Sequence, residues 1–316
     1  MADGGTLSFT DPDRYASAID DARLKVTITG AGDFKAQLTW LTLQHLKIYR
    51  CCESLSRIGY ISLSPRQTFL SFPIKATSAI FSGFSVQNGD IIFYSPGERA
   101  HQRFNGACQW GLIALSAQYF ADCSQALVGR SFVSPGASSV IHPSRTEIVR
   151  FQRLFRQACH LVEARRKIAE LPEVARALEQ DMLHAIVHCL AGEHDADEIQ
   201  KARWHHAAVM ARFEEALNTL ADDRPSMSRL CAEIGVAERT LRMCCAEFLG
   251  MSPTRYLLVQ RLNKARAALQ RANPSTTSVA EIARAHQFLQ LGRFAVTYRI
   301  TFGESPSATL HRDPRT

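Results

Sequence analysis

The chain lacks any apolar run approaching the roughly 18–20 uninterrupted residues that a membrane helix needs, so no membrane partner is expected. Its opening, MADGGTLSFTDPDRY, lacks the basic-then-apolar character of a secretory signal. The nine cysteines lack a paired framework. They are scattered, with two vicinal pairs, Cys51–Cys52 and Cys244–Cys245, which fits a reducing cytoplasm better than a disulfide scaffold. No glycine-rich phosphate loop, nucleophile elbow or catalytic-triad pattern occurs, and His205-His206 and the vicinal cysteines lack zinc spacing. Neither a cofactor nor a metal is therefore expected. Buried helical cysteines behave mostly as small hydrophobes, which places redox sensing well behind packing as their role.

What is present is enough for two folded domains: 316 residues, 46% hydrophobic and 21% charged. The net charge of +7 is unevenly placed. Residues 1–199 hold 20 basic and 20 acidic side chains, whereas residues 200–316 hold 17 and 10. A basic C-terminal part behind a neutral one points to a polyanionic partner, with a solvated basic face as the plain alternative.

Residues 1–33 read as a loosely ordered lead-in. From Phe34 to about residue 140, short β-like runs alternate with turns: LTLQHLKIY (41–49), YISL (60–63), TFLSFPI (68–74), DIIFY (90–94) and WGLIAL (110–115). Asn88-Gly89-Asp90 and Ser95-Pro96-Gly97 supply turn chemistry. This pattern predicts a sandwich or small barrel. Beyond SFVSPGASS (131–139) the period becomes helical. Residues 141–191 hold one helix through Ile148, Phe151, Phe155, Ala158 and Val162, and a second over Glu173–Leu190. Such a pair either closes the core of the β-domain or forms a dimer interface, and a homodimer is the expectation. GEHDADEIQKAR (192–203) is charged and poor in large apolar residues, a linker to an all-helical part over 204–312.

That last part repeats itself. GMSPTRYL (250–257) returns as GESPSATL (303–310), and the same offset of 53 aligns Leu241 with Phe294, Cys245 with Tyr298 and Leu249 with Phe302. Each unit has a short helix, a turn and a second helix with one apolar stripe, the spacing of a helix-turn-helix. In the first, SMSRLCAEI (226–234) precedes Gly235-Val236 and AERTLRMCCAEFLG (237–250). In the second, SVAEIARAH (278–286) opens on a Ser278–Glu281 capping box and precedes LQLGRFAVTYRITFG (289–303). Burying the stripes leaves Arg239, Arg242 and Met243 outward in the first unit, and Arg293, Val296, Thr297 and Ile300 in the second.

Residues 205–312 resemble the DNA-binding domain of the AraC/XylS family of bacterial transcription regulators. The resemblance is carried by IGVAERTLRMCCAEFLGMSPTRYL with RLNKARAAL, then SVAEIARAHQF and LGRFAVTYRITFGESP. It implies seven helices, double-stranded promoter DNA and RNA polymerase as partners, and activation rather than repression. Base reading falls on Arg239, Arg242, Met243, Arg293, Val296 and Thr297. Phosphate contacts fall on Thr240, Arg261, Lys264, Arg284 and Arg299. The chain departs from the family at Ala237 (usually Ser), Met243 (often basic), Cys245 (usually aromatic) and Gln287 (usually Gly).

GDIIFYSPGERAHQRF (89–104) resembles the cupin-like effector domain of such regulators. The expected fold class is thus α+β in two domains: a cupin-like β-barrel (34–140) with its helical pair, and an all-α domain with two helix-turn-helix units. The barrel offers Tyr94, Arg99, His101 and Trp110 as candidate lining for a small-molecule effector. Two alternatives stay open: a regulator without an effector, and a cupin-type enzyme with a DNA tether. The enzyme is disfavoured because metal-dependent cupins carry His-x-His where this chain has His101-x-Arg103.

Overall fold

Period-two alternation builds the first half of the molecule and helical periodicity the second. The computed structural model describes residues 2–136, 138–191, 198–220 and 225–312. Twelve strands occur among them: β1 (Asp3–Phe9), β2 (Ala22–Ile28), β3 (Ala36–Thr42), β4 (Leu46–Glu53), β5 (Arg57–Leu63), β6 (Gln67–Ala76), β7 (Ala79–Phe81), β8 (Phe84–Val86), β9 (Ile91–Phe93), β10 (Arg99–Phe104), β11 (Cys108–Ser116) and β12 (Ser139–Ile141). They form two antiparallel sheets, ordered β1-β3-β4-β11-β6-β9-β12 and β2-β5-β10-β7-β8.

Alternate residues of the larger sheet serve two cores. Leu38, Tyr49, Cys51, Phe69, Trp110 and Leu112 face the smaller sheet and the barrel interior. Leu41, Ile48, Leu70, Phe72 and Ile113 face the other way, onto helices. A one-residue slip in register would exchange these sets, which is why so regular an alternation fixes the pairing.

The helices of this half are α1 (Pro12–Ala16), α2 (Ala117–Val128), α3 (Arg145–Ala169) and α4 (Pro172–Leu190). Pro172 opens α4 at a position where its missing N–H costs nothing. Phe151 and Phe155 of α3 each meet Phe72 edge-on, with ring centroids 4.9 Å apart. The helical pair thus closes the outer core of the sheet.

Three expectations are corrected. Residues 1–33 are no loose lead-in, because β1 pairs with β3 along its whole length and β2 with β5. The run 41–49 is not one strand. It straddles the β3–β4 hairpin, closed by Leu43 N–H donating to the Leu46 carbonyl at 2.8 Å. The linker 192–203 is helical from Glu198 onward, and residues 192–197 lie outside the described residues.

The C-terminal half consists of α5 (Glu198–Thr219), α6 (Met227–Ile234), α7 (Glu238–Leu249), α8 (Pro253–Arg271), α9 (Val279–Ala285), α10 (Leu291–Phe302) and α11 (Pro306–Leu310). Its apolar residues fall into two clusters, each of which takes in part of the β-domain. Ile58 of β5 joins Phe213, Leu230, Leu241 and Phe248 in one cluster. Leu262, Phe294, Tyr298 and Phe302 run continuously into the barrel interior. Barrel and helices therefore share their hydrophobic burial.

Candidate nucleic-acid interface

Helices α7 and α10 are each anchored by an apolar stripe and stopped by a glycine. On α7, Leu241, Cys244, Cys245, Phe248 and Leu249 are buried; on α10, Phe294, Tyr298 and Phe302. Gly250 and Gly303, at the same place in the two repeats, end these helices with φ of +69° and +79°, a left-handed cap that favours glycine. Cys245 fills the aromatic's place as a packed hydrophobe, its Sγ 4.0 Å from the Met210 sulfur. Burial pushes the neighbouring Cys244 thiol up to about 11, which disfavours the thiolate that redox chemistry requires. Cys51 is buried on β4 beside a half-buried Cys52, and all nine thiols are free.

The N-termini differ. Ser278 and Glu281 form the full capping box on α9. Ala237 gives α7 no side-chain cap, a loss of about 1 kcal/mol relative to serine. Gln287 adopts φ +62°, the conformation that makes glycine the usual residue there, at a cost of about 1 kcal/mol.

The outward faces fit the sequence reading in large part. Arg239, Arg242 and Met243 are exposed on α7, and Arg293, Val296, Arg299 and Ile300 on α10. Arg242 is held by Glu238 one turn earlier, with Nε and Nη2 at 2.9 and 2.5 Å from Oε1. An exposed pair of this kind is worth a few tenths of a kcal/mol, about 0.3–0.5, and is readily broken. Thr297 is half-buried and donates its hydroxyl to the Arg293 carbonyl at 2.8 Å, so that donor is already engaged. Thr240 is half-buried, and Arg284 is exposed on α9.

Arg261, Arg293 and Thr297 meet around a groove of about 400 Å³ between α8 and α10, where the Arg261 guanidinium lies 5.1 Å from the Phe288 ring centre. Lys264 does not join them. It lines a cleft between α8 and the barrel with Asp11, Asp13 and Lys25.

The four effector candidates do not share a cavity. Strand alternation turns Arg99 and His101 outward toward the helices, where Arg99 lies 3.5 Å from Glu215 and His101 Nε2 3.1 Å from Glu214. Tyr94 and Trp110 point inward, into a barrel interior occupied by side chains. Arg57 there donates to both Glu53 oxygens at 2.6 and 3.1 Å, while Trp110 Nε1 and the Tyr15 hydroxyl donate to Oε1 at 2.8 and 2.7 Å. Tyr94 and Ser71 share a hydroxyl hydrogen bond of 3.0 Å. A recess of about 680 Å³ opens instead beside this network, lined in part by Lys35, Cys52, Lys75 and Cys108. Among the described residues no cluster of three or more His, Cys, Asp or Glu is arranged to hold a metal.

Sequence reasoning missed the contact between the halves. Glu214 of α5 is buried, with its Oε1 accepting from the Tyr256 hydroxyl at 2.6 Å and facing His101, while Lys25 stands 3.7 Å from Oε2. Asn263 of α8 completes a strand edge, accepting from Ile28 N–H and donating to its carbonyl at 2.9 Å each. The barrel also touches both helix caps. A side chain at Gly250 would collide with the Arg103 guanidinium, and one at Gly303 would press on Ala31, whose neighbour Gly32 donates to the Phe302 carbonyl at 3.0 Å. These partners lie up to 272 residues apart, and no local pattern announces them.

Residues 230–312 match the family described as a helix-turn-helix domain. The chain is 33% identical over 160 residues to a probable thc operon regulatory protein of Rhodococcus erythropolis, covering 49% of this chain and 46% of that one. It is 35% identical over 103 residues to a XylDLEGF operon transcriptional activator 3 of Pseudomonas putida, covering 32% and 31%. The chain thus spans half or less of the length of these two relatives. The crystal structure of the AraC-like transcriptional activator CuxR aligns over 83% of this chain and 95% of its own, at 15% identity and a TM-score of 0.43. With two glycine-stopped, stripe-anchored units, residues 230–312 thus form a helix-turn-helix domain, similar in sequence to the operon regulators of Rhodococcus erythropolis and Pseudomonas putida.

Proposed function

We propose that the whole chain is a sequence-specific, double-stranded-DNA-binding transcription regulator that acts as an activator, with RNA polymerase as its downstream partner. The observation that carries this is the exposure of both reading faces while the barrel sits against the opposite ends and backs of the same helices. A helix fits the major groove, and α8, at 19 residues, spans about 28 Å between the units. Two successive grooves on one face of a duplex lie about 34 Å apart, a reach this spacer suits.

Readout divides between the units. Arg239 and Arg242 can each donate bidentately to guanine O6 and N7, whereas Arg299 and Arg284 meet phosphates. Arg242→Ala is expected to relax base preference at one position, costing about 1–3 kcal/mol on the preferred site and little on random DNA. Arg299→Ala is expected to weaken all sequences alike and to lower the salt slope by about one. Binding titrations at several salt concentrations separate the two, and the reverse pattern would refute the division.

No enzymatic role is proposed. A regulator governed without a small molecule gains support from the barrel interior, because the Glu53–Arg57 network occupies the space between Tyr94 and Trp110. Any effector belongs in the recess near Lys35 and Lys75 instead. Its volume lies within the range of small-molecule sites. Val149, Ile168 and Leu171, exposed on and between α3 and α4, support that pair as the face for a second copy.

A further inference from the structure

Large apolar side chains left in water are scattered over most of this molecule, but four of them gather on the two reading units. Met243 is 51% exposed on α7; Leu289, Val296 and Ile300 are 78%, 60% and 71% exposed on or just before α10. Met243 and Val296 stand at the same place in the repeat, 53 residues apart. On α10 the residues 293, 296 and 300 follow three- and four-residue steps and so share one face, and Leu289, just before the helix, lines one groove with Arg293 and Thr297. Gly292 lies on that face too, with nothing within 4 Å of where its side chain would be, so the helix backbone is bare there. Arg293 and Arg299, both exposed, flank the apolar stripe.

A stripe of this kind, with cations beside it, fits a surface that is anionic at its rims and carries apolar groups on its floor. The major groove is such a surface. Its hydrogen-bonding edges suit arginine, and the apolar group it presents is the C5 methyl of thymine. The first unit carries two arginines and one apolar residue on its outward face. The second carries no donor at the centre of its stripe, where Val296 stands.

We propose that α10 reads thymine, with Val296 packed on a C5 methyl and Ile300 and Leu289 on either side of it, while Arg293 and Arg299 hold the flanking phosphates. This rests on α10 being a groove-facing helix, and it assigns the two units different chemistry: guanine through arginine in the first, thymine through apolar contact in the second.

The test begins with duplexes enriched by the full chain from a randomised pool. The half-site under α10 is the one whose protection Arg293→Ala removes. Its thymines are then replaced by deoxyuracil, which keeps every hydrogen-bonding group and lacks only the methyl. We expect thymine in that half-site, and a loss of about fourfold in affinity for each packed methyl removed. Val296→Ala, at an exposed position that leaves folding intact, is expected to abolish the thymine–uracil difference, and Met243→Ala to preserve it. Equal affinity for the two duplexes, or a Val296→Ala variant that weakens both equally, would overturn the assignment. So would a variant that binds DNA normally yet fails to activate, since the stripe would then face a protein. A pool that yields no preferred sequence would overturn the underlying DNA reading as well, an outcome distinct from a preferred sequence indifferent to the methyl.

Discussion

Replacing Glu53 with glutamine is expected to destabilise the protein by about 3–5 kcal/mol, because it leaves a fully buried guanidinium without its counter-charge. Neither Glu53 nor Arg57 has side-chain exposure, and the guanidinium is sandwiched 4.7 Å from the Phe104 ring and 5.4 Å from that of Trp110. Burial alone would raise the Glu53 carboxyl, but the charge of Arg57 and the hydrogen bonds from Arg57, Trp110 and Tyr15 outweigh it and hold it below the usual carboxylate range. The sign of the pH dependence follows. A depressed folded value contributes stability that is complete above the unfolded value, about 4.3 for glutamate, and drains away as pH falls through the folded one. Urea unfolding checks both points. The wild type should lose stability on acidification below about pH 4.3, and Glu53→Gln should start low and lose less. Pairing Glu53→Gln with Arg57→Met should recover much of the loss, since the orphaned charge goes with it. Equal stability of wild type and Glu53→Gln would show that the barrel interior takes up water or a ligand that replaces the carboxylate.

The second large effect concerns Glu214. Its removal leaves the Tyr256 hydroxyl, His101 and Lys25 without their shared acceptor at the seam between barrel and helices. Glu214→Ala is expected to cost about 3 kcal/mol, each buried unpaired donor contributing about 1–3 at most. Its consequence for cooperativity is more diagnostic. Since Ile58 packs among the helices of the first unit and Phe302 among the barrel residues, the wild type is expected to unfold in one calorimetric transition. Glu214→Ala should split it in two. The same variant should leave the reading residues untouched and yet alter affinity for a two-groove site, because the barrel abuts the caps at Gly250 and Gly303 and so sets how α7 and α10 stand. An unsplit transition with unchanged binding would mean that the two units keep their geometry through α8 alone.

Much of this architecture was legible in the sequence, and the reason is locality. The stripes of α7 and α10, their glycine stops and the Ser278–Glu281 box are patterns within one or two helical turns, where side-chain spacing alone dictates which face is buried. Arg239, Arg242, Met243, Arg293 and Val296 follow as the remaining face. Residues 3–9 were illegible because DGGTLSF has little alternation of its own and takes its strand character from pairing with β3. In β2, by contrast, Ala22, Leu24, Val26 and Ile28 do alternate with Arg23, Lys25 and Thr27, a local signal that was overlooked. His101 illustrates a finer failure. On β10 the choice between interior and exterior depends on a single residue of register, and the residue turned out to face Glu214, 113 positions away, instead of a cavity. The side of α8 on which Lys264 stands was likewise illegible. A cation on a helix has several faces open to it until the tertiary contacts of α8 are known.

The most direct measurement of the central claim is a footprint of the full chain on a duplex enriched from a random pool, read by protection of major-groove atoms. Two protected patches on one face of the helix, about 10–10.5 base pairs apart centre to centre, are the predicted result, one lost with Arg239→Ala and the other with Arg293→Ala. A single patch unaffected by either substitution, or no preference over random DNA at moderate salt, would contradict the assignment of α7 and α10 as paired reading helices.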